Sequence, residues 1–508
     1  MRAEKCSHHK EPLISIVLDT LQKNKQALVF VNTKRSAEKA AEDISKTVKH
    51  EHTSLNKLAE QVLGALGKAT HQCERLAKCI QRGIAFHHAG LHSKQKELVE
   101  DAFRDGTIKI ICCTPTLAAG LDLPAFRAII RDVKRYGDHG MTDIPVLEYL
   151  QMSGRAGRPR FDTYGESIIV TNNDSEKDRV WDKYVHGEPE DIYSKLAVEP
   201  VLRTYVLSLI ATKVVKNFKE LIGFFEKTFW AYQYHDMHGL EQKIHKVVSM
   251  LEKWEFTFIE ENSIRATPVG QRVAQLYIDP LTAHHIITCV QRATSSTVKP
   301  LSWLLMACRA LEMRPLLKIK TKEYDIIQEH LATHQPYVLE NEPSMFEIDY
   351  EDYLNAFKTS LLLYEWIDEK DEEYLLEHYD CRPGETRHKI ETADWLLYAA
   401  QELCKLLQFT PVIKDISRVR FRLKYGVKEE LLALLRLREV GRVRARKLFA
   451  AGIKTLGDVR QAETTTLARI VGVQIANKIK QQVGQDTIGE MHEDLPYKLP
   501  DRQTRLAE

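Results

Sequence analysis

Short apolar runs alternate with segments of helical spacing through the first ~190 residues. Residues 27–31 (ALVFV), 83–86 (GIAF), 109–113 (KIICC), 128–133 (AIIRDV) and 166–170 (ESIIV) read as strands, several of them apolar enough to be buried on both faces. Between them, 36–44 and 93–103 place apolar residues on one helical face, the second with Ser93 as its N-cap. Alternating strand and helix predicts a parallel, doubly wound sheet. Loops that bind ligands in such sheets lie beyond the carboxyl ends of the strands, which directs attention to 32–35, 87–90 and 114–123. From 191 the pattern is helical. The 191–278 stretch ends in two apolar runs around EENS, a hairpin that predicts a winged helix, and 279–430 is a helical domain broken by prolines. The 431–490 stretch carries Val440-Gly441-Arg442 and Val471-Gly472-Val473, each followed by a helix, which predicts helix–hairpin–helix elements whose glycine turns offer N–H groups to phosphate. Residues 491–508 read as a loose tail.

One helix in the third segment has a marked pattern. Ile390, Ala393, Leu397, Ala400, Cys404 and Leu407 recur at steps of three and four, a single buried stripe. Trp395 lies two residues from Leu397, about 200° around the helix. A tryptophan placed there needs a partner, either a stacked base or a neighbouring domain.

Composition adds one fact. The chain has 73 Lys and Arg against 71 Asp and Glu, but residues 414–460 hold 14 against 5, the footprint of a nucleic-acid contact. Arg442, Arg444, Arg446 and Lys447 are the densest part of that block. Apolar residues at 44% describe an ordinary globular chain. No apolar run approaches the ~20 residues that cross a bilayer, so no membrane partner is expected. The nine cysteines lack paired CxxC spacing, which predicts a reduced, cytoplasmic protein without a bound structural metal.

Candidate chemistry concentrates in two segments. In QMSGRAGRPRFD (151–162), Gln151, Arg155 and Arg158 sit among Gly154 and Gly157, an array of forked cations with little bulk between them. Arrays of this kind stabilise charge on a transferred phosphoryl group. In ICCTPTLAAGLDLP (111–124 with Ile110 before it), a buried strand ends in Thr114 and Thr116, whose hydroxyls can grip a phosphate. Gly120 and Asp122 follow, the acid able to accept from a ribose hydroxyl. Between the two segments, 131–149 reads as a β-hairpin around GDHG with Tyr136 and Met141 near its tip.

ALVFVNTKRSAE, IAFHHAGL, TPTLAAGLDLP, EYLQMSGRAGRPRFD, LYIDP and GRVRARKLFAAGIK together resemble the second motor domain and following domains of superfamily 2 helicases of the Ski2-like branch, closest to the archaeal DNA-repair helicases that act at stalled forks. The resemblance implies a RecA-like sheet domain over 1–190, then a winged helix, a helical ratchet domain and a helix–hairpin–helix domain. It implies ATP with Mg²⁺ as cofactor and single-stranded or forked DNA as partner, with movement from 3′ to 5′. Gln151, Arg155 and Arg158 would face the γ-phosphate, and Gly120, Asp122 and Gly154 would lie near the nucleotide. Thr114, Thr116, Asn32 and His88 would touch strand phosphates. Tyr136 and Met141 would form a strand-parting wedge, and Trp395 would stack on the moving strand with Arg387 and His388 nearby. The family often has Asn where this chain has Asp122, and an arginine where Arg387 and His388 stand.

The family's phosphate loop, GxxxxGK followed by Ser or Thr, does not occur in this sequence, and neither does a DExH box at a strand end. GALGKAT (64–70) has other glycine spacing, and DEEY (371–374) lies in an acidic helical stretch. The expectation is the carboxyl-terminal part of such a helicase, which needs a first motor domain from a separate chain. The alternatives are a non-catalytic nucleic-acid-binding fragment and an RNA helicase of the same branch.

Overall fold

Each of the first four strands buries all of its residues, so the sheet is the natural starting point. The computed structural model describes residues 11–48, 53–120, 123–137, 140–158, 162–261 and 263–484. Strands β1 (Ala27–Phe30), β2 (Ile84–His87), β3 (Ile110–Cys113), β4 (Arg127–Ile130) and a later β7 (Glu166–Ile169) form one parallel sheet in the order β2-β3-β1-β4-β7. Ala27 is in register with Ile110 on one side and Arg127 on the other. Crossover helices such as Lys34–Thr47 and Ser93–Arg104 connect successive strands, as parallel pairing requires. The second of these is capped by His92 rather than Ser93: the His92 ring nitrogen accepts from the Lys94 N–H, and the Gln95 side chain answers by accepting from the His92 N–H. Cys112 and Cys113 are buried in β3, and burial pushes both thiols far above the usual range.

Strands β5 (Lys134–Gly137) and β6 (Gly140–Asp143) pair antiparallel as a separate hairpin. Its base is clamped: the Tyr184 hydroxyl donates to the Val133 and Ile144 carbonyls, while Asp143 is paired with Arg179 and Lys183.

The chain divides into two units, Met1–Ile192 with Asp371–Arg387, and Tyr193–Lys370 with His388–Glu508. Residues 371–387, within the 279–430 segment read as the helical domain, pack in the first unit. Lys68 pairs with Asp371 at 2.7 Å, Lys34 pairs with Glu385, and the Gly384 N–H donates to the Gly90 carbonyl at 3.0 Å. A Cβ on Gly384 would lie 2.3 Å from the Leu91 carbonyl oxygen, so the approach demands glycine.

Among its described residues the second unit is helical apart from one hairpin, β8 (Thr257–Glu260) with β9 (Ser263–Ala266), which packs with the helices Glu199–Ala211, Met237–Lys253 and Pro268–Leu276. Asp279, from the LYIDP segment, caps the following helix and takes two bonds from the buried Arg203 at 2.8 and 3.0 Å. The predicted apolar helix runs Pro383–Leu406. Near the carboxyl end, Leu431, Leu434, Ala445, Leu448, Leu467, Ala476 and Ile479 build a separate small core. Gly441 caps the Arg442–Ala450 helix, and Gly472 (φ 90°) turns the chain between Thr464–Val471 and Val473–Gly484, a conformation that favours glycine. No helix among the described residues is long and apolar enough to cross a membrane.

Candidate nucleotide and nucleic-acid sites

The carboxyl ends of β1, β3 and β4 open onto a cleft of about 1280 Å³. Asn32, Lys34, Arg35, Thr114, Thr116 and Arg135 are among its lining residues. Asn32 lies two residues beyond β1, the central strand; its side-chain amide donates to the Lys134 carbonyl at 3.2 Å, which ties the hairpin to that strand's carboxyl end. Its backbone N–H donates to Asp132 at 3.0 Å. Thr114 is nearly buried at the end of β3, and its hydroxyl meets that of the exposed Thr116 at 2.9 Å. Asn32, Thr114 and Thr116 therefore stand together beyond the carboxyl ends of β1 and β3.

His88 departs from its expected place. Its side chain is wholly buried, so it does not present to a strand phosphate. Its Nδ1 accepts the Gly90 N–H at 3.1 Å, which leaves the proton on Nε2, 3.2 Å from Glu38. Burial holds its pKa below the ordinary histidine range. Glu38 is a hub that the sequence reading missed. It is 2% exposed, accepts from Gln72 at 2.8 Å, and is paired with Arg75 at 2.8 Å and Arg382 at 3.1 Å. Burial alone would raise its pKa, but donation from His88 and Gln72 and the Arg382 charge hold it well below the usual carboxylate range. The available signal was a glutamate beside the buried Ala37, Ala40, Ala41 and Ile44 of an amphipathic helix.

The arginine segment starts on the Val146–Ser153 helix, whose first two free N–H groups are capped by Glu190. Gln151 is exposed on it, and Gly154 caps its end. Beyond, the backbone bridges to Ala125: Ala125 N–H donates to Arg155 and Gly157 N–H donates back to Ala125. Gly157 is left-handed (φ 95°), and a Cβ on Gly165 would fall 2.3 Å from its nitrogen. Both glycines thus serve chain packing. Arg155 donates to the Ala118 carbonyl at 3.1 Å, which joins this segment to the Thr116–Gly120 helix. The two strongest sequence signals meet at that bond. Arg158 donates to Asp162 at 2.7 and 3.3 Å and to the Gln26 side chain, with Lys25 2.6 Å from the same carboxylate. The Arg158 bond keeps the Asp162 pKa below its ordinary value. Gln26 immediately precedes β1, so Arg158 sits at the amino end of that strand while Asn32 and Thr114 sit at carboxyl ends. Gly120 is exposed with open space around it; Asp122 lies outside the described residues.

On the hairpin, Tyr136 and Met141 are cross-strand neighbours, 79% and 55% exposed. Two large apolar side chains thus stand together in solvent on a hairpin whose base is fixed.

Trp395 does not face outward. It is 4% exposed, and its indole N–H donates to the Leu276 carbonyl at 3.1 Å. The Pro383–Leu406 helix buries residues nearly all round over 389–404, including Leu396 and Ala399, so a single stripe understated its packing. Arg387 and His388 are exposed.

The basic quartet splits by face. Arg446 is bonded to Glu369 through two nitrogens at 2.8 and 2.7 Å and to Glu430 at 2.7 Å. Arg442 lies 5.0 Å over the Trp366 ring and donates to the Lys370 carbonyl. Both therefore anchor the helix instead of standing open to DNA; the sequence could not separate them, because Trp366, Lys370 and Glu369 lie over seventy residues away. Arg444 and Lys447, three apart on the other face, are exposed. Among the described residues no group of three or more His, Cys, Asp or Glu is placed to hold a metal ion.

A family model for "Archaeal helicase, domain 4" matches residues 301–426, and one for "Helicase conserved C-terminal domain" matches 65–160. The chain is 40% identical over 480 residues to the ATP-dependent DNA helicase Hel308 of Pyrococcus abyssi, a match covering 93% of this chain and 66% of that protein. It is 36% identical over 520 residues to the protein of that name from Methanococcus vannielii, covering 93% and 67%. For the Pyrococcus horikoshii protein the figures are 38% over 483 residues, with 93% and 66% covered. The chain thus spans about two thirds of the length of these curated relatives. Motifs, fold and relatives agree: the chain belongs to the archaeal Hel308-type helicases of the Ski2-like branch of superfamily 2.

Proposed function

We propose that this chain is the finger-bearing and strand-gripping part of an ATP-dependent 3′ to 5′ DNA helicase that acts on stalled forks. The sheet domain is the second RecA-like motor domain. A winged helix, a helical ratchet domain and a helix–hairpin–helix domain follow it. The observation that carries the reading is the bond from Arg155 to Ala118, which fastens the arginine segment to the helix that follows Thr114. That bond would couple the segment that meets the nucleotide to the segment that meets the strand.

Gln151, Arg155 and Arg158 are the groups that would meet the γ-phosphate of ATP, with Gly120, Gly154 and Asp122 beside the nucleotide. Arg158 already holds an anion, Asp162, in the fork geometry that a phosphate oxygen requires. ATP supplies the phosphoryl group whose developing charge such guanidinium groups stabilise. The phosphate loop and the Mg²⁺ ligands belong to a first motor domain outside this sequence, and turnover depends on adding it. Asn32, Thr114 and Thr116 would hold strand phosphates, Arg444 and Lys447 would add phosphate contacts, and Tyr136 with Met141 would part the duplex.

The test is reconstitution. The chain is mixed with a separately expressed first motor domain, such as that of the Pyrococcus abyssi relative, and ATP hydrolysis is followed with and without single-stranded DNA. DNA-stimulated turnover on mixing supports the reading. DNA binding without turnover, at concentrations where the two parts co-sediment, would favour a non-catalytic nucleic-acid-binding role.

A further inference from the structure

Residues 218–235 leave aromatic rings in solvent that ordinary helix packing does not explain. The helices Phe218–Phe225 and Phe229–Tyr234 bury Leu221, Phe225, Trp230 and Ala231. Their outer faces should be polar. Instead Phe224, Phe229, Tyr232 and Tyr234 are 42%, 51%, 75% and 45% exposed. Beside Tyr232 lies a groove of about 460 Å³, lined by Glu226, Lys227, Thr228, Tyr232, His235 and Met237 among others. His235 ends the second helix in the left-handed region (φ 53°), a conformation uncommon for a residue other than glycine. That turn brings its ring to 6.3 Å from Tyr232. Trp230 stacks on Tyr234 at 5.1 Å and braces the helix from within. Lys213, Lys216, Lys219 and Lys227 are exposed on and before these helices. Of the nearby acids, Glu220 is engaged in capping, its carboxylate accepting from the Lys216 N–H and the Asn217 amide.

We infer that this surface binds single-stranded DNA, with bases stacked on Tyr232 and Phe229 and Lys227 and its neighbours meeting the backbone. Exposed aromatic faces interleaved with cations are what sequence-tolerant single-strand binding uses. A protein partner could use the same rings, but lysine is depleted from the centres of protein interfaces, and here Lys227 lines the groove itself beside Tyr232. The site needs neither the arginine segment nor a nucleotide, so it stands or falls independently of the motor reading.

The test uses the full chain and labelled oligo-dT, beside a strand of equal length with alternating abasic sites, read by fluorescence anisotropy. The Phe229→Ala/Tyr232→Ala variant should bind oligo-dT at least about fivefold more weakly and lose most of its preference for the strand with bases. Tyr232→Phe, which keeps the ring, should bind as the parent does. Photocrosslinking of 5-iodouracil strands to the unaltered chain should mark Tyr232 or Phe229, a readout that does not depend on any variant folding. Unchanged oligo-dT affinity in a folded double variant, or crosslinks confined to other segments, would overturn the inference and leave these rings as a protein-facing surface.

Discussion

Replacing Glu38 by alanine removes the acceptor shared by Gln72, Arg75 and Arg382, a carboxylate that also lies 3.2 Å from the buried His88 Nε2. Losing one partner of a fully buried ion pair costs about 3–5 kcal/mol. Here Arg75 and Arg382 keep 27% and 15% of their side-chain surface in contact with water and recover part of their solvation. The Gln72 amide, buried and donating to Glu38 at 2.8 Å, recovers little, and an unsatisfied buried donor costs about 1–3 kcal/mol. The expected loss for the first unit is therefore ~2–4 kcal/mol. Glu38→Gln, which keeps one carbonyl acceptor, should lose less. The pH dependence has a definite sign. The carboxyl is held well below its unfolded value of about 4.3, so its contribution is present above that pH and is lost as pH falls toward the folded value. The gap between parent and Glu38→Gln should be full at pH 7 and shrink below about pH 4.5. Urea titration with hydrogen exchange read on 84–91 and 371–387 measures both quantities, because those segments meet at this hub. A Glu38→Ala protein within about 0.5 kcal/mol of the parent, with unchanged protection of 383–387, would refute the reasoning.

Further expectations concern other residues. Trp395→Phe should cost about 1 kcal/mol through the lost bond to Leu276, Trp395→Ala ~3–5 kcal/mol, and neither should change single-strand affinity while the protein is folded. A stability-neutral Trp395→Ala that weakens DNA binding would restore the stacking role. Arg446→Ala should lower the melting temperature without changing the salt dependence of DNA binding, whereas Lys447→Ala should leave stability alone and reduce the salt slope by about one. Binding titrations at several salt concentrations beside melting curves distinguish the two. Burial raises the Glu312 carboxyl above its ordinary range, even though it accepts from the Asp279 N–H and the Thr282 hydroxyl. A raised carboxyl favours folding only while protonated, so its contribution is lost as pH rises through the folded value. Glu312→Gln should thus melt higher than the parent at pH 8, with the difference fading toward pH 4.

The parallel sheet was legible because runs such as ALVFV and KIICC are both too apolar and too short for anything but strands covered on both faces. The hairpin at 134–143 was legible from GDHG between strand-like residues, and the one at 257–266 from EENS between two apolar runs. Legibility ended where a side chain's partner lay far along the chain. His88 reads as an exposed loop residue until Glu38 and the strap at 371–387 close over it. Trp395 reads as outward-facing until the carbonyl of Leu276 meets its N–H. Arg442 and Arg446 look equivalent to Arg444 and Lys447 in a basic run, and the distant Trp366 and Glu369 separate them. Helical periodicity reports one buried face; it is silent when neighbouring elements cover the other.

The most direct measurement is ATP turnover by the chain mixed with a first motor domain and single-stranded DNA, compared between the parent, Arg155→Ala and Arg158→Ala. Hydrolysis that appears on mixing and falls by about 10³-fold or more in the arginine variants, with DNA affinity retained, is the predicted result. Turnover by the chain alone that disappears in a Lys68 variant, or turnover on mixing that ignores both arginines, would contradict the account; Lys68 is an exposed side chain paired with Asp371.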